Sequence, residues 1–358
     1  MNINLCTSLT NTGYGIAGRK IALELIKYGN DVRIIPYGGL QADSQEEANL
    51  IVDAINKGKF FHHEAPCINM WHQFALDKRF GHGKFFGFPI FELDKFNELE
   101  IHHLNYPNEL IVTCQWAKKV IENNGVQSKI HTVPLGVDTS VFFPDLSRNH
   151  SIRDNPEQYI FLNIGKWEVR KGHDLIPNIF CKAFNKKDNV KLIMVPNNPF
   201  LNEQQINEWN NRYQQCELSD KISLLQPVET HQQIAQIINE CNCGLFPARA
   251  EGWNMELLEI MACGKSVITT NYSAHTEYCN KQNSFLVDIP NTELANDGMW
   301  FNGQGKWAEI DYDEEEQFIE YMKHCYKERP SNPEGILTAH KFTWKNSADK
   351  LLDIIKNR

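Results

Sequence analysis

The most informative stretch of the chain reads Pro247-Ala248-Arg249-Ala250-Glu251-Gly252-Trp253-Asn254-Met255-Glu256-Leu257-Leu258-Glu259-Ile260-Met261-Ala262-Cys263-Gly264-Lys265. The apolar residues 243–246 just before it predict a short buried strand, and residues 255–263 predict an apolar helix. A loop that leads into a helix leaves backbone N–H groups free at the positive end of the helix dipole. The stretch therefore predicts a strand, a loop and a helix, with an anion site in front of the helix.

Two carboxylates, Glu251 and Glu259, lie on either side of that turn. Glu259 interrupts the apolar residues of the predicted helix, and burying a carboxylate there is costly unless another group pairs with it. We therefore expect Glu259 to contact a ligand. The alternative is a glutamate at the edge of a packed helix.

Glu251-Gly252-Trp253, followed by Glu259 and then Met261-Ala262-Cys263-Gly264, resembles the E-x7-E signature of retaining GT-B glycosyltransferases of glycosyltransferase family four. The resemblance implies that Glu251 contacts the transferred sugar and that Glu259 holds the ribose of a sugar nucleotide. It also implies that the turn between the two glutamates lines the donor site.

The turn itself contributes four expected donor-site residues, which are Gly252, Trp253, Asn254 and Met255. Many family members have Gly where this chain has Asn254. This departure either alters the recognition of sugar hydroxyls or adds a side-chain hydrogen bond.

Length and composition limit the class of protein. A chain of 358 residues exceeds a comfortable single core, so we expect two domains. The net charge of −9 argues against general nucleic-acid binding. No apolar run is long enough for a transmembrane segment, the N-terminus lacks a signal-peptide pattern, and the ten cysteines form no C-x-x-C pair. These features predict a cytoplasmic protein.

The order of predicted elements favours two α/β halves. In the first half, strands are predicted at 3–9, 31–36, 67–71, 84–88, 110–114 and 130–133, with helices that include 17–28 and 117–124. A polar linker follows at 134–156. In the second half, strands are predicted at 159–164, 191–195, 222–225, 243–246 and 266–269, with helices at 175–184, 203–216, 230–241 and 255–263.

We therefore predict an α/β protein of GT-B type, with two Rossmann-like doubly wound domains facing a central cleft. The predicted domains are 1–150, which the resemblance implies binds the acceptor, and 151–340, which it implies binds the nucleotide sugar. Residues 341–358 form an amphipathic helix that resembles the family's closing helix, which crosses back to the first domain. The alternative is a terminal helix that packs on its own domain.

A cationic loop follows the first strand of the second half, in the sequence Gly165-Lys166-Trp167-Glu168-Val169-Arg170-Lys171-Gly172. The family pattern is Gly-Arg-Leu, three residues and Lys-Gly, so Lys166 replaces the usual Arg and Lys171 keeps the Lys. The resemblance implies that Gly165 approaches the donor diphosphate, that the two lysines bind it, and that Arg170 compensates for the missing Arg. A bare charge cluster is more often solvated surface, but the place of this loop at a strand end, in register with the downstream glutamate pair, favours the phosphate role.

Near the N-terminus, Gly13-Tyr14-Gly15-Ile16-Ala17-Gly18 matches G-x-G-x-x-G. A dinucleotide site would need an acidic residue at the end of the second strand, and that strand ends in Tyr37-Gly38-Gly39. The resemblance implies instead that Gly13 and Gly15 face the diphosphate; the alternative is a plain tight turn.

Four further positions are weaker candidates. The resemblance implies a sugar-contacting histidine near His72 and backbone recognition of the base near Val228. Glu92, which follows the apolar run 85–91, is a weaker candidate for contact with the acceptor. Asp311-Tyr312-Asp313 mimics the metal-binding D-x-D of the other glycosyltransferase fold. Acidic residues at a helix start favour the macrodipole, which explains this cluster without a metal.

The expected function is the metal-independent transfer of a sugar, with retention of configuration, from a nucleoside diphosphate sugar to a hydroxyl acceptor. UDP or GDP is the expected nucleotide, no cofactor is expected, and the acceptor is a glycan, a lipid-linked compound or a small molecule. Two alternatives stay open: an epimerase that acts on the sugar nucleotide alone, and a non-catalytic protein that binds a sugar nucleotide or glycan.

Overall fold

A computed structural model of the chain describes residues 1–145 and 152–356. Within the predicted linker, Ser147 and Asn149 lie outside these ranges. The chain divides into two compact units, which are Met1–Gly136 with Phe342–Arg358, and Val137–Lys341.

The second unit begins at Val137, earlier than the boundary that the sequence suggested at residue 150. Residues just after Val137 already pack within this unit. The ring of Phe142 lies 5.9 Å from that of His231, and the backbone N–H of Asp145 donates to Asn239 Oδ1 at 2.9 Å. Part of the polar segment is therefore anchored to the second core.

The first unit is built on a six-stranded parallel sheet. Its strands are β1 (Asn2–Ser8), β2 (Asp31–Tyr37), β3 (Cys67–Met70), β4 (Phe85–Gly87), β5 (Glu109–Val112) and β6 (Lys129–Thr132). Its helices before the second unit are α1 (Gly13–Lys27), α2 (Gln45–Gly58), α3 (Glu98–Asn105) and α4 (Gln115–Asn123). The strand order is β2-β1-β3-β4-β5-β6, so the order reverses between β1 and β3.

The second unit is also built on a six-stranded parallel sheet, to which a hairpin is added. Its strands are β7 (Tyr159–Gly165), β8 (Val190–Pro196), β9 (Ile222–Leu224), β10 (Cys243–Phe246), β11 (Ser266–Thr270), β12 (Phe285–Val287) and the hairpin strands β13 (Thr292–Asn296) and β14 (Asn302–Ala308). Its helices are α5 (Ile176–Ala183), α6 (Glu203–Gln214), α7 (His231–Glu240), α8 (Met255–Ala262), α9 (His275–Tyr278), α10 (Tyr312–Glu328) and α11 (Pro333–Lys341). The order of the large sheet is β12-β11-β10-β7-β8-β9.

Both large sheets consist of parallel strands, as in a doubly wound fold, and the second sheet also shows the expected burial. Every residue of β7 and of β10 is buried, as expected for central parallel strands covered by helices on both faces. The strand order of the second sheet reverses between β7 and β10, and ligands of such sheets bind at the carboxyl ends of the strands beside the reversal. The prediction of two Rossmann-like domains is confirmed.

The last helix, α12 (Trp344–Lys356), belongs to the first compact unit and packs against α1. Ser347 Oγ donates to the carbonyl of Pro134 at 2.7 Å, and a Cβ on Gly136 would lie 2.2 Å from the backbone nitrogen of Trp344. The chain therefore returns to the first unit through close backbone packing. No helix in the described ranges is long and apolar enough to cross a membrane.

The antiparallel hairpin β13–β14 is an element that the sequence did not predict. Its pairing runs from Thr292 opposite Ala308 to Asn296 opposite Asn302. Trp307 of β14 is almost fully buried, and its Nε1 donates to Glu293 Oε1 at 3.0 Å. A buried tryptophan therefore anchors an otherwise polar hairpin to the second unit.

Candidate functional site

The candidate site lies in the second unit, at the carboxyl ends of β7 and β10. The two loops that follow these strands touch along their backbones, because Arg249 N donates to the carbonyl of Arg170 at 2.7 Å. A Cβ on Gly172, whose φ is +72°, would lie 1.9 Å from the carbonyl oxygen of Pro247. Only glycine fits such a position. This glycine and the backbone hydrogen bond bring the cationic loop and the Glu251 turn together.

Glu251 lies at the centre of this meeting point. Its Oε1 accepts a hydrogen bond from Lys171 Nζ at 2.9 Å, and its Oε2 accepts one from Arg170 NH1 at 2.7 Å. The same guanidinium nitrogen donates to the carbonyl of Ala250 at 2.6 Å. Three residues predicted for the donor site, Glu251, Lys171 and Arg170, are therefore brought into direct contact.

A second carboxylate, Glu168, shares these cations. Its Oε2 accepts from Arg170 NH2 at 2.7 Å and from Arg170 Nε at 3.1 Å, and its Oε1 lies 2.7 Å from Lys166 Nζ. Lys166 is a half-exposed residue at the edge of the cluster. The predicted lysine pair thus belongs to one ion-pair network, in which Glu168 neutralises part of the positive charge.

The charges of the network control the ionisation of its members. Burial alone would raise the pKa of Glu168, but Arg170 and Lys166 outweigh burial and lower it to about 2. Burial likewise opposes ionisation of Glu251, while Arg170 and Lys171 hold its pKa far below the usual range. The pKa of Lys171 is raised, because its carboxylate neighbours, Glu251 first, outweigh the effect of burial. All three groups are therefore charged near neutral pH.

Gly165, the last residue of β7, packs directly against Lys171 of the network. Its φ is +152°, and a Cβ there would lie 3.0 Å from Lys171 Cδ and 3.3 Å from Lys171 Nζ. A side chain at this position would crowd the lysine amine. This close packing against Lys171 explains the glycine, and the approach of the loop to a ligand stays a prediction.

The turn from Glu251 into α8 is held by side-chain hydrogen bonds. Asn254 has a left-handed backbone (φ 74°) and caps α8, because its side chain accepts from the N–H of Leu257. Its Nδ2 lies 2.9 Å from His275 Nε2. Glu251 N donates to Ser273 Oγ at 2.8 Å. The departure from glycine at Asn254 therefore adds a cap and a side-chain hydrogen bond, one of the two alternatives that the sequence left open.

Two fully buried histidines support these loops as neutral groups. Burial lowers the pKa of His173 to about 3, and burial also lowers that of His275 to about 4 although Glu251 opposes the change. His173 Nδ1 accepts from the N–H of Glu168 at 3.2 Å, and its Nε2 bonds to Asn163 Oδ1 at 2.8 Å. Each imidazole thus links its loop to the neighbouring strand ends.

The other predicted donor residues of this unit lie around the same turn or farther along the sheet. Gly252, Trp253 and Met255 are buried beside Glu251, and Glu259 is buried within α8 rather than facing bulk water. Val228 follows β9, the edge strand of the sheet. It lies at the predicted strand end, and β8 separates β9 from β7.

The candidates in the first unit gather at the carboxyl ends of β1 and β3. Gly13 is the exposed first residue of α1, and Gly15 is buried, where a Cβ would lie 2.1 Å from the carbonyl oxygen of Thr10. His72 packs edge-on against Tyr14, with ring centroids 4.8 Å apart. Burial is the main cause of the raised pKa of Tyr14, and the negative charge of Glu92 raises this pKa further.

The packing at Gly15 gives this glycine a structural reason that is independent of any ligand. Helix α1 begins at Gly13, not at residue 17 as the sequence suggested. The loop glycines are therefore part of the first helical turns.

Asp311 is a helix cap. Its side chain accepts from the N–H of Asp313, and Glu314 completes a capping box at the start of α10. Asp313, Glu314 and Glu315 lie in the first turn, where negative charge is favourable. The interpretation of this acidic cluster as a helix start is confirmed.

Sequence reasoning missed two parts of the site. Glu168 carried a signal, since an acidic residue between Lys166 and Arg170 pairs readily with both. Arg249 is the second part, because it joins the loop after β10 to Asp174 and to the hairpin. Two of its nitrogens donate to Asp174 at 2.9 and 3.0 Å, and its Nε lies 3.3 Å from Glu293 Oε1 of the hairpin. No local pattern in the sequence relates Arg249 to a hairpin that was itself not predicted.

Solved structures share this fold over nearly the whole chain. Sucrose-phosphate synthase from Thermosynechococcus elongatus has a TM-score of 0.71 at 13% identity, with 99% of this chain and 98% of that chain covered. A glycosyltransferase from Rickettsia africae has a TM-score of 0.72 at 16% identity, with 100% and 99% covered. HepE from Anabaena, solved in complex with UDP-glucose, has a TM-score of 0.74 at 11% identity, with both chains fully covered.

The class of fold is therefore GT-B, as predicted. Residues 147–324, just under half of the chain, match the family model described as Glycosyl transferases group 1. A comparison with curated protein sequences found no match. The family match and the shared fold together support a GT-B glycosyltransferase. The match includes β7, the cationic loop and the Glu251 turn.

Proposed function

We propose that the protein transfers a sugar from a nucleoside diphosphate sugar to a hydroxyl acceptor with retention of configuration and without a metal ion. The observation that carries the proposal is the meeting of Lys171 and Arg170 with Glu251 in front of α8. Buried cations beside a helix N-terminus suit a diphosphate. Among proteins of the same fold, HepE was solved with UDP, with UDP and glucose, and with UDP-glucose.

The proposed reaction is mainly one of positioning and charge stabilisation. As the sugar leaves, negative charge grows on the diphosphate. Lys171, Lys166 and N–H groups of the first turn of α8 stabilise that charge, and groups of this kind held in place by the fold are the usual source of large rate effects. These fixed charges supply the role that a metal fills in other transferases.

The carboxylates orient the donor in this proposal. Glu251 accepts hydrogen bonds from sugar hydroxyls, and Glu259 from the ribose. A donor diphosphate competes with Glu251 for Lys171, which frees one carboxylate oxygen to bind the sugar. The acceptor hydroxyl loses its proton to the leaving phosphate, so no side chain acts as a nucleophile. The base is proposed to lie near Val228.

The decisive experiment is a thermal-shift panel of UDP, GDP and ADP sugars in the presence of EDTA. A ligand that binds only the native state raises the midpoint of unfolding. We expect a clear shift with at least one UDP or GDP sugar. No shift with any sugar nucleotide would contradict the proposal.

Product analysis separates transfer from the other two activities. The donor that shifts the midpoint is incubated with and without candidate hydroxyl compounds, and the sugar is followed by NMR. Transfer with retention gives a new glycoside of the donor's anomeric configuration. An isomerised sugar nucleotide without acceptor would indicate an epimerase, and binding without turnover would indicate a non-catalytic protein.

A further inference from the structure

Glu256 is a charged residue of the candidate site that the proposed reaction does not use. It is the second residue of α8 and lies in the first turn of that helix. Its Oε1 lies 3.9 Å from Lys171 Nζ, which also contacts Glu251 Oε1 at 2.9 Å. The lysine that is proposed to hold the diphosphate therefore lies between two carboxylates.

The two carboxylates differ in their access to solvent. The side chain of Glu251 is 6% exposed, whereas that of Glu256 is 27% exposed. Burial favours the neutral amine of Lys171, but Glu251 and then Glu256 raise its pKa, so both carboxylates act on the lysine. Glu256 is the carboxylate on the open side of Lys171, and an anion that reaches the lysine from solvent comes close to it.

The charged side chains of the site form a row of alternating sign. From one end to the other, these are Glu256, Lys171, Glu251, Arg170, Glu168 and Lys166. Neighbouring charges lie 3.9, 2.9, 2.7, 2.7 and 2.7 Å apart. The three cations and the three carboxylates cancel, and without Glu256 the row would carry one positive charge. Glu256 therefore weakens the attraction of the site for an anionic ligand.

A carboxylate at this position acts more strongly on the product than on the donor of the proposed reaction. The diphosphate of a sugar nucleotide carries one negative charge on each phosphate, because both phosphates are esterified. Loss of the sugar leaves a terminal phosphate whose second pKa is about 6, so the nucleoside diphosphate carries almost one further charge near neutral pH. Repulsion grows with the charge of the ligand. The carboxylate therefore repels the product more than the donor.

We propose that Glu256 is a specificity-determining residue, which favours the sugar nucleotide over the nucleoside diphosphate product and so speeds product release. This inference rests on the proposed function and adds a residue that distinguishes the two nucleotides of one site. An acidic residue in the first turn of a helix also stabilises the helix dipole. That effect is the same for both ligands, so a difference between donor and product identifies the proposed role.

The test compares the full-length wild type with Glu256→Gln, which removes the charge and keeps the size of the side chain. Calorimetric titration measures the affinities for UDP and UDP-glucose, and for GDP and GDP-mannose. The repulsion of charges a few ångströms apart in water predicts that the variant binds the sugar nucleotide about threefold more tightly and the nucleoside diphosphate about tenfold more tightly. Stopped-flow dissociation of the nucleoside diphosphate should slow. At about 1 M NaCl, where the Debye length is about 3 Å, the two proteins should bind alike.

Glu334→Gln is the matched control. Glu334 is the exposed second residue of α11, as Glu256 is the second residue of α8, so both variants lose the same charge. The residue before α11, Asn332, donates its backbone N–H to the carbonyl of Gly264, which follows the end of α8. Glu334 therefore lies near the opposite end of α8 from the site, and its variant should bind both nucleotides like the wild type.

Two results would overturn the inference: equal changes in the affinities for donor and product, or weaker binding of the product by Glu256→Gln. An effect of the same size in Glu334→Gln would also overturn it, because the effect would then come from the net charge of the protein. The wild type tests the proposed function in the same titrations. If it binds sugar nucleotides but the ratio of affinities is unchanged in Glu256→Gln, this inference alone is wrong; if it binds no sugar nucleotide, the proposed function itself fails.

Discussion

Lys171 Nζ lies 2.9 Å from Glu251 Oε1, although the two residues come from loops that follow different strands. In the proposed reaction these groups act on opposite ends of one bond, the lysine on the diphosphate and the glutamate on the sugar. In the structure each satisfies the charge of the other. The ion pair keeps both groups charged, and in the proposed reaction it holds them in position until a donor separates them.

Replacement of Lys171 tests the diphosphate role. Lys171→Ala should lower kcat/KM by about 10²- to 10³-fold, the usual effect of losing one stabilising donor. Glu251 keeps its contact with Arg170 NH1 at 2.7 Å, so the fold should survive. Steady-state kinetics and far-UV circular dichroism measure the two effects. Lys182→Ala, which removes a partly exposed partner of Glu315, is the control, and a folded Lys171→Ala enzyme with full activity would refute the role.

Replacement of Glu251 tests the stability of the network. Glu251→Ala leaves two buried cations with one carboxylate fewer, and breaking such a pair costs about 3–5 kcal/mol. Urea denaturation of the variant should show this loss. Glu256→Ala should cost under about 1 kcal/mol, because Glu256 is more exposed and lies 3.9 Å from Lys171.

A double-mutant cycle isolates the pair itself. If Lys171 and Glu251 interact as the distance indicates, Lys171→Ala with Glu251→Ala should be less destabilised than the sum of the single variants by about 0.5–3 kcal/mol. Strict additivity would mean that the two charges do not interact in solution.

Much of the fold follows from local sequence patterns, because buried parallel strands and amphipathic helices leave strong periodic signals. The strand 243–246 and the helix after Asn254 were predicted almost to the residue. The hairpin was not, since residues such as Asn302, Gln304 and Lys306 give no apolar alternation. The hairpin is anchored by the packing of Trp307, and packing between distant segments leaves no local pattern in the sequence.

In the site, too, local sequence patterns identify some residues, while others are identified only by the tertiary structure. Spacing identified Glu251, Glu259 and Lys171 as candidates, and the structure brings Lys171 into contact with Glu251. The partners of each charge could not be predicted. Arg170 reaches Glu168 and Glu251 because two loops cross, and a crossing depends on tertiary geometry. The left-handed backbone of Asn254 was equally hidden, as asparagine adopts many conformations.

The backbone at Asn254 predicts an order of stability among variants. Asn254→Gly relieves the left-handed backbone but removes the cap of α8 and the partner of His275 Nε2, so a net loss of about 1–2 kcal/mol is expected. Asn254→Ala loses both bonds and keeps the strain, and should cost about 2–4 kcal/mol. Urea denaturation gives the ranking. A glycine variant more stable than the wild type would show that the two bonds contribute little.

Donor kinetics of Asn254→Gly separate the two interpretations of this position. If the side chain acts only as a cap, KM for the donor should stay within about twofold of the wild type after correction for stability. A change of tenfold or more, about 1.4 kcal/mol, would instead show that Asn254 contacts the sugar.

The buried histidines predict that acid weakens the protein well before its carboxylates titrate. The pKa values of His173 and His275 are about 3 and about 4 in the fold, against 6.5 for the free side chain. Below pH 6.5 the unfolded chain therefore binds two protons that the folded chain does not, and stability falls as pH falls. The slope is roughly 1.4 kcal/mol per pH unit for each imidazole, so about 4 kcal/mol is lost between pH 7.5 and pH 5.0.

Glu168 affects the free energy of unfolding in a lower pH range than the histidines, because its pKa falls from 4.5 to about 2 on folding. Its stabilisation is complete above pH 4.5 and disappears as the pH approaches 2. Urea denaturation at pH 7.5, 6.0 and 5.0 thus reports the histidines with little interference from this carboxylate. His275→Asn should remove about half of the loss that the two imidazoles cause between pH 7.5 and 5.0. Equal stability of the wild type at pH 7.5 and pH 5.0 would mean that both imidazoles become protonated without unfolding, and that the loops around Glu168 and Glu251 open to water.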